Sequence, residues 1–464
     1  MKKIKFSFNS EVEKIIKKFS LNNDWNKNIN QDIDKYKNKK FNKKSFNRKD
    51  LKKLDFVTID GEDAKDFDDA VYCEKHESDW KLYVAIADVA HYVENNSNID
   101  KEARKRGTSV YFPGFVIPML PEVLSNNLCS LRPGEDKFTV MAEIIIGKDG
   151  KIKSYKFYNA LISSSARLTY TQVDNFLNNK KSITDKNVIK NINNLFSLYK
   201  ILKKSREKRH AVNFDTQEFS FLISKDNEIT GIKNNIRLES QKLIEECMIA
   251  ANVASSLFIK KNKSNSLYRV HDEPTLEKIE DASISLKNLG YSLNKTKIIC
   301  TEEINKIIEL SKKKLDDHLV TSIILRAMAR AEYTPKNIGH FGLSLKSYNH
   351  FTSPIRRYPD LIVHRIIKNI IEKKENQYDF NNLEKIGTLS SENERNAEAA
   401  ERELQSILLC NYATKFIGKK FDATVNSVVN FGLFIAVKEE PIQGLIHISS
   451  LGNEYFIHNE KKNY

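Results

Sequence analysis

The stretch Thr58-Ile59-Asp60-Gly61-Glu62-Asp63-Ala64-Lys65-Asp66-Phe67-Asp68-Asp69-Ala70 decides how the rest of the chain is read. Six carboxylates fall within ten residues, with apolar, β-branched runs on either side. Phe56-Val57-Thr58-Ile59 and Ala70-Val71-Tyr72 read as strands, and Leu82 to Ala87 as a third, so the acids sit on a loop between buried strands of one sheet. Like charges crowded together raise one another's pKa, so a cationic partner is expected. Hard divalent cations are the usual one, and Mg2+ takes one or two carboxylates together with waters and phosphate oxygens. Two such ions beside a phosphodiester activate water and stabilise the leaving oxygen. A solvated acidic turn is the plainer alternative. The EF-hand pattern is excluded, because its sixth and twelfth positions, counted from Asp60, hold Lys65 and Val71 instead of Gly and Glu.

Outward from the loop, 464 residues with 40% hydrophobic and 30% charged content can bury a sizeable core and fill several domains. The net charge is +15, and residues 1–50 alone hold 15 Lys/Arg against 6 Asp/Glu. A basic surface favours polyanions through counterion release, although a Lys- and Asn-rich composition explains the charge equally well. Five scattered Cys without Cys-x-x-Cys spacing suggest a reducing, cytoplasmic setting with neither a disulfide framework nor a zinc site. No apolar run reaches membrane-spanning length, and the opening MKKIKFSFNSEVEKII lacks the apolar core of a signal peptide. Residues 1–50 read as a polar segment with one short helix, from Val12, Ile15, Ile16 and Phe19, and a loose linker.

Later the period turns helical. Leu243–Lys260, Asp360–Lys374 and Glu392–Ala413 read as helices, and strands followed by helices predict an α+β catalytic body. Near Ile417 alternation returns: Phe421–Val425, Gly432–Val437 and Gly444–Ile448 read as the first strands of a small β-barrel. Three Pro and a Gly interrupt Thr108–Pro121, so that run is irregular and presents an aromatic, Tyr111, unless Tyr111 is simply core. Ala211-Val212-Asn213-Phe214-Asp215 holds a second aromatic, Phe214. His350-Phe351-Thr352-Ser353-Pro354-Ile355-Arg356-Arg357-Tyr358-Pro359-Asp360-Leu361 places two Arg at a helix N-terminus, a favourable place for phosphate. The pair Glu245-Glu246 reads best as the surface of a packed helix, the alternative being support of a channel for a bound polyanion, and His91, His340, His350 and His364 read as structural.

The acidic loop and the arginine stretch together resemble the signatures of the ribonuclease II/ribonuclease R (RNB) family of exoribonucleases, nearest its bacterial ribonuclease R branch. The resemblance spans roughly residues 50–460. It implies an RNB-type catalytic domain with a mixed sheet and helices over residues 51–414, after a basic segment 1–50, and a partial S1-type OB fold over 415–464. It implies metal association for Asp60, Asp66 and Asp69, action close to the scissile phosphate for Asp68, and a phosphate contact for Arg356. Arg357 becomes a backbone contact, Tyr111 and Phe214 a base-stacking clamp, and Glu401 an acidic position near the RNA 3′ end. Glu62 and Asp63 fall between the matched positions and read as solvated. The implied activity is Mg2+-dependent hydrolysis of single-stranded RNA from its 3′ end to nucleoside 5′-monophosphates, by a monomer with no membrane attachment. The ribosome and RNA-decay factors are candidate partners. Alternatives are a catalytically impaired RNA-binding fragment and a metal nuclease acting on DNA. Set against the family, the chain reads as shortened at both ends, with no room for a cold-shock OB fold before Asp60 and only about three barrel strands at the other end.

Overall fold

The computed structural model describes residues 7–37, 48–180, 182–214, 218–224, 226, 228–293, 300–314 and 316–452. Seven strands build the central sheet: β1 (Lys49–Asp50), β2 (Val57–Asp60), β3 (Asp69–His76), β4 (Asp79–Ala87), β5 (Asp136–Ile146), β6 (Ile152–Ser163) and β7 (Ala166–Thr169). Their order is β1-β6-β5-β4-β3-β2-β7. β1 runs parallel to β6 and β7 parallel to β2, while the remaining pairs are antiparallel. The sheet is therefore mixed, as the family resemblance implies.

The helices relevant to the site are α1 (Phe8–Lys18), α2 (Lys27–Lys37), α3 (Asn98–Arg106), α4 (Lys186–Lys208), α5 (Glu239–Lys261), α6 (Tyr358–Ile371) and α7 (Phe380–Ala413). α4, α5 and α6 contribute Leu195, Cys247 and Ile362 to the same core as Val84 and Ile86 of β4 and Val140 of β5. Cover by helices explains why β4 reads as an unbroken apolar run from Leu82 to Ala87 and not as an alternating one. The 34-residue α7 begins well before its predicted start, because Asp379 caps it at Asn382 and Leu383 and Ile386 continue its buried face.

The N-terminal segment departs from expectation. It holds two helices, where one helix and a loose linker were predicted, and of that linker residues 38–47 lie outside the described residues. α2 carries few apolar residues, but Ile29 and Ile33, one turn apart, are buried in the main core. Tertiary burial stabilises a helix that local composition barely signals. Farther on, Ala423–Val429, Gly432–Val437 and Gln443–His447 form a three-stranded antiparallel sheet at the predicted places. Among the described residues no helix is long and apolar enough to cross a membrane.

Asp88, after β4, ties distant parts of this body together. Arg48 donates to it at 2.6 Å and Lys368 of α6 at 2.7 Å, and its side chain is fully buried. Burial pushes the carboxyl upward, but Lys368 and Arg48 outweigh it and hold the group below the usual carboxylate range. A depressed pKa means that this stabilisation is complete above the unfolded carboxylate value of about 4 and is lost as pH falls through the folded value. Asp88→Ala leaves two cations without their buried partner, and urea denaturation at neutral pH should show a loss of about 3–5 kcal/mol. A loss below about 1 kcal/mol would mean that the pair contributes no more than a surface ion pair.

Candidate active site

The acidic loop leaves the sheet at Asp60, the last residue of β2, and returns at Asp69, the first of β3. Its backbone is held by hydrogen bonds. The Phe67 amide donates to Ser130 Oγ at 3.0 Å, Ser130 Oγ donates to the Lys65 carbonyl at 2.8 Å, and the Ala87 amide donates to the Asp68 carbonyl at 2.8 Å. This pinning turns Asp60, Asp66, Asp68 and Asp69 into one cleft of about 380 Å³ and leaves Glu62 and Asp63 exposed. Arg356 and Tyr111 line the same cleft.

Burial dominates the electrostatics. Asp60 is pushed up to about 6 by burial and by Asp66, against the opposing pull of Arg167 and Arg356. Asp66 is raised by burial. Asp68 and Asp69 are raised well above the carboxylate range by burial, and Arg356 works against that in both. Arg356 thus opposes the shift in all four carboxyls, and Arg167 opposes it at Asp60 alone. Asp68 is also fixed in place, because its Oδ1 accepts the Ile355 amide at 2.9 Å.

That amide belongs to the arginine segment. Asp360, fully buried in the first turn of α6, accepts the Ser353 amide at 2.8 Å and both an Nε and an Nη2 bond from Arg357 at 2.8 Å. Arg357 is thereby occupied as a brace of the segment, while it also lines the cleft. Arg356 Nη2 donates to Ser353 Oγ at 3.2 Å. The Arg356 carbonyl in turn accepts the Ser109 amide at 3.0 Å, which joins the segment to the strand bearing Tyr111. Gly107, just before that strand, has φ +72°, and a Cβ there would lie 2.6 Å from Asn393 Nδ2.

Tyr111 sits in a short hairpin, Val110–Phe112 paired with Phe115–Ile117. Val110 and Phe112 are buried and Tyr111 is 42% exposed, so alternation along the strand turns this ring to solvent. Glu401 of α7 accepts the Tyr111 amide at 2.6 Å; it acts as an anchor of the aromatic strand. Phe214 is placed elsewhere. It is half-buried against an apolar cluster with Val212, Leu286 and Ile308, and it does not line the carboxylate cleft. Asp215 lies outside the described residues. Glu246 is buried and accepts Arg206 at 2.8 Å, and Glu245 reaches the edge of the cleft, so the pair does not sit on the helix surface as expected.

Three residues of the site were missed by sequence reasoning. Arg167 of β7 donates to the carbonyls of Gly61 at 2.8 Å and Glu62 at 2.6 Å. Tyr170 follows Thr169, which pairs with Asp60 in the parallel β2–β7 register, and lines the cleft. Asn252 of α5 accepts the Phe351 amide at 2.8 Å and donates to Tyr348 at 3.0 Å. Only Asn252 lies in a segment the sequence singles out, the predicted helix Leu243–Lys260, and there it has no distinguishing signal.

The donor set consists of hard carboxylate oxygens, with neither Cys nor His among the cleft residues. Among the described residues no group of three or more His, Cys, Asp or Glu forms a ready-made metal cage. Mg2+ needs no such cage, since water and phosphate oxygens complete its shell, and the residues present fit it in that sense.

The chain's sequence matches the RNB domain model over residues 48–373 and the S1 RNA binding domain model over 414–464. It is similar to ribonuclease R of Escherichia coli strain K12, at 42% identity over 417 residues, covering 87% of this chain and 51% of that protein. The chain spans about half the length of the curated relatives it matches. The fold resembles a solved Mycoplasma genitalium RNase R in complex with ribose methylated single-stranded RNA, with a TM-score of 0.93 and 31% identity, covering 98% of this chain and 72% of that one. It also resembles the same organism's RNase R in complex with double-stranded RNA, with a TM-score of 0.88 and 31% identity, covering 95% and 79%.

Because burial, with Asp66 beside it, raises Asp60, removing its charge relieves the folded state. A raised folded pKa means that the penalty is absent below the unfolded value and grows as pH rises through about 6. Without divalent cations, Asp60→Asn should therefore be more stable than wild type by about 1–3 kcal/mol at neutral pH and nearly equal to it in acid. Urea titrations in a chelator buffer read this, and a variant less stable at neutral pH would contradict it.

Proposed function

The chain belongs to the RNB family, and from that premise we propose that it hydrolyses single-stranded RNA from the 3′ end to nucleoside 5′-monophosphates, with Mg2+ as cofactor. The observation that carries this reading is the convergence of Asp60, Asp66, Asp68, Asp69 and Arg356 on one cleft with an exposed Tyr111. Asp60, Asp66 and Asp69 are the proposed metal-holding residues. Bound Mg2+ supplies Lewis acidity and neutralises phosphate charge.

The chain's own groups do the rest. Tyr111 stacks on a base at the 3′ end, an interaction worth about 1–3 kcal/mol that tolerates any sequence. Asp68, fixed by the Ile355 amide, hydrogen-bonds and orients the attacking water. That oxygen forms a bond to phosphorus, and the P–O3′ bond of the penultimate nucleotide breaks. The water gives up a proton to solvent as this bond forms, O3′ takes one from solvent and remains on the shortened RNA, and the terminal nucleotide leaves with its 5′-phosphate. Arg356, whose guanidinium has further N–H donors beyond the one given to Ser353, stabilises the charge on the transferring phosphoryl. Arg357 supports Arg356 through Asp360, and Glu401 supports Tyr111. Phe214 as a second clamp ring requires RNA to pass the apolar cluster in which it sits. We also propose that residues 51–414 act as the catalytic unit and residues 415–464 as an S1-type RNA-binding unit, and that the protein works as a cytoplasmic monomer.

A 5′-labelled oligoribonucleotide with Mg2+ should give a ladder shortened from the 3′ end, and the deoxyribo-oligomer of the same sequence should persist. Internal fragments would contradict the exonucleolytic reading, and equal cleavage of DNA would contradict the RNA specificity. Asp68→Asn should keep RNA binding and lose about 100-fold or more in kcat, and Arg356→Lys should lose a similar factor because its planar fork is gone. Full activity of Asp68→Asn would remove that residue from the mechanism.

A further inference from the structure

Between the N-terminal helices and the Tyr111 hairpin lies a side chain to which the proposed chemistry assigns nothing. Arg106, the last residue of α3, is nearly buried, with 5% of its side chain exposed. Each direction of its fork is used. Nη1 donates to the Pro118 carbonyl at 2.9 Å, one residue past the hairpin. Nη2 donates to the Asp24 carbonyl at 2.8 Å, and Nε to Glu102 at 2.9 Å. The flat face lies 3.7 Å from the Trp25 ring centroid, a cation–π contact. Glu102 also accepts Asn22 at 2.7 Å. One guanidinium thus joins residues 22–25 to the end of the hairpin.

The same N-terminal segment grips the other support of Tyr111. Phe8, Val12 and Ile15 of α1 share an apolar cluster with Val110, Phe112 and Ile117 of the hairpin and with Ala400 and Leu404 of α7. Lys18 pairs with Glu403 at 2.6 Å, two residues from Glu401, and Asn396 donates to the Phe19 carbonyl at 2.9 Å. The hairpin itself is two three-residue strands, too short to hold an orientation alone.

We propose that Arg106 is a positioning residue, which clamps the N-terminal segment onto the hairpin so that the Tyr111 ring is held at the cleft before RNA arrives. The inference rests on the reading of Tyr111 as a base platform. A fixed ring spends less ordering entropy on stacking, so the effect belongs to RNA affinity and not to the chemical step. Lysine in place of Arg106 keeps the charge but cannot bond Pro118, Asp24 and Glu102 at once.

The test is a double-mutant cycle on the full chain with Arg106→Lys and Tyr111→Ala. Binding of a fluorescent oligoribonucleotide is measured by anisotropy in a chelator buffer, and turnover is measured separately with Mg2+. Arg106→Lys should raise Kd and KM by roughly 3- to 10-fold, part of one stacking contribution, and leave kcat within about twofold. In the Tyr111→Ala background the same substitution should change Kd by less than about twofold. Effects that multiply, or wild-type affinity in Arg106→Lys, overturn the proposal. Unchanged affinity in Tyr111→Ala overturns it together with the platform reading. Trp25→Leu, which removes the stacking partner, repeats the cycle if Arg106→Lys fails to fold. Because binding is read without metal, a chain that shows the cycle but never shortens RNA refutes the enzymatic reading alone.

Discussion

Four aspartates are kept side by side mainly by backbone bonds of the strands and the turn that carry them. Strand pairing fixes Asp60 and Asp69, Ser130 and the Ala87 amide pin the turn between them, and the Ile355 amide fixes Asp68. Carboxylates so placed must either take up protons or meet positive charge. Arg356 supplies one such charge, at the N-terminal approach to α6, where the backbone also favours anions. The rest of the arrangement follows from holding that guanidinium opposite the loop. Asp360 and Arg357 set its segment, and the Ser109 amide couples that segment to the aromatic strand. The cleft is therefore polarised, with acid on one wall and the arginine facing it. A phosphodiester with cations fits such a cleft, whereas a neutral ligand would leave most of the charge uncompensated.

The parts of this site legible in the sequence are those that local chemistry makes costly. Crowded carboxylates, an apolar run broken by three prolines, and paired arginines before a helix each violate an ordinary preference, and each lies at the cleft. Arg167 and Tyr170 violate nothing locally. They reach the site because β7 pairs parallel to β2 across more than a hundred residues of chain, and no local period encodes that pairing. Glu401 was legible as a position but not in its contact, since its bond to the Tyr111 amide depends on how the hairpin lies on α7. Phe214 illustrates the opposite limit: an aromatic in a polar stretch can face a ligand or a core, and here it packs with Leu286 and Ile308. The buried strands of one sheet and the later three-stranded sheet were legible from buried-run and period-2 patterns, and the mixed pairing only from the family resemblance, whereas α2 was not legible, because its two buried isoleucines are stabilised by a core built elsewhere.

The N-terminal segment shows the same division between chemistry and support. Its lysines suggest a polyanion-binding tail, yet the described part buries Phe8, Val12, Ile15, Ile29 and Ile33 and directs polar groups to α3 and α7. Asp32, for example, accepts the Asn98 and Ile99 amides at the start of α3, the helix that ends in Arg106. Composition alone misjudges such a segment, because snorkelling lysines and a narrow apolar face coexist on one short helix.

The central claim, that this loop holds buried, crowded carboxyls whose charge a divalent cation compensates, is tested most directly by thermal unfolding at neutral pH with and without millimolar Mg2+. The account predicts that Mg2+ raises Tm of the wild type and leaves unchanged a variant in which Asp60, Asp66 and Asp69 are all Asn. An equal rise in both proteins, or none in the wild type, would contradict it.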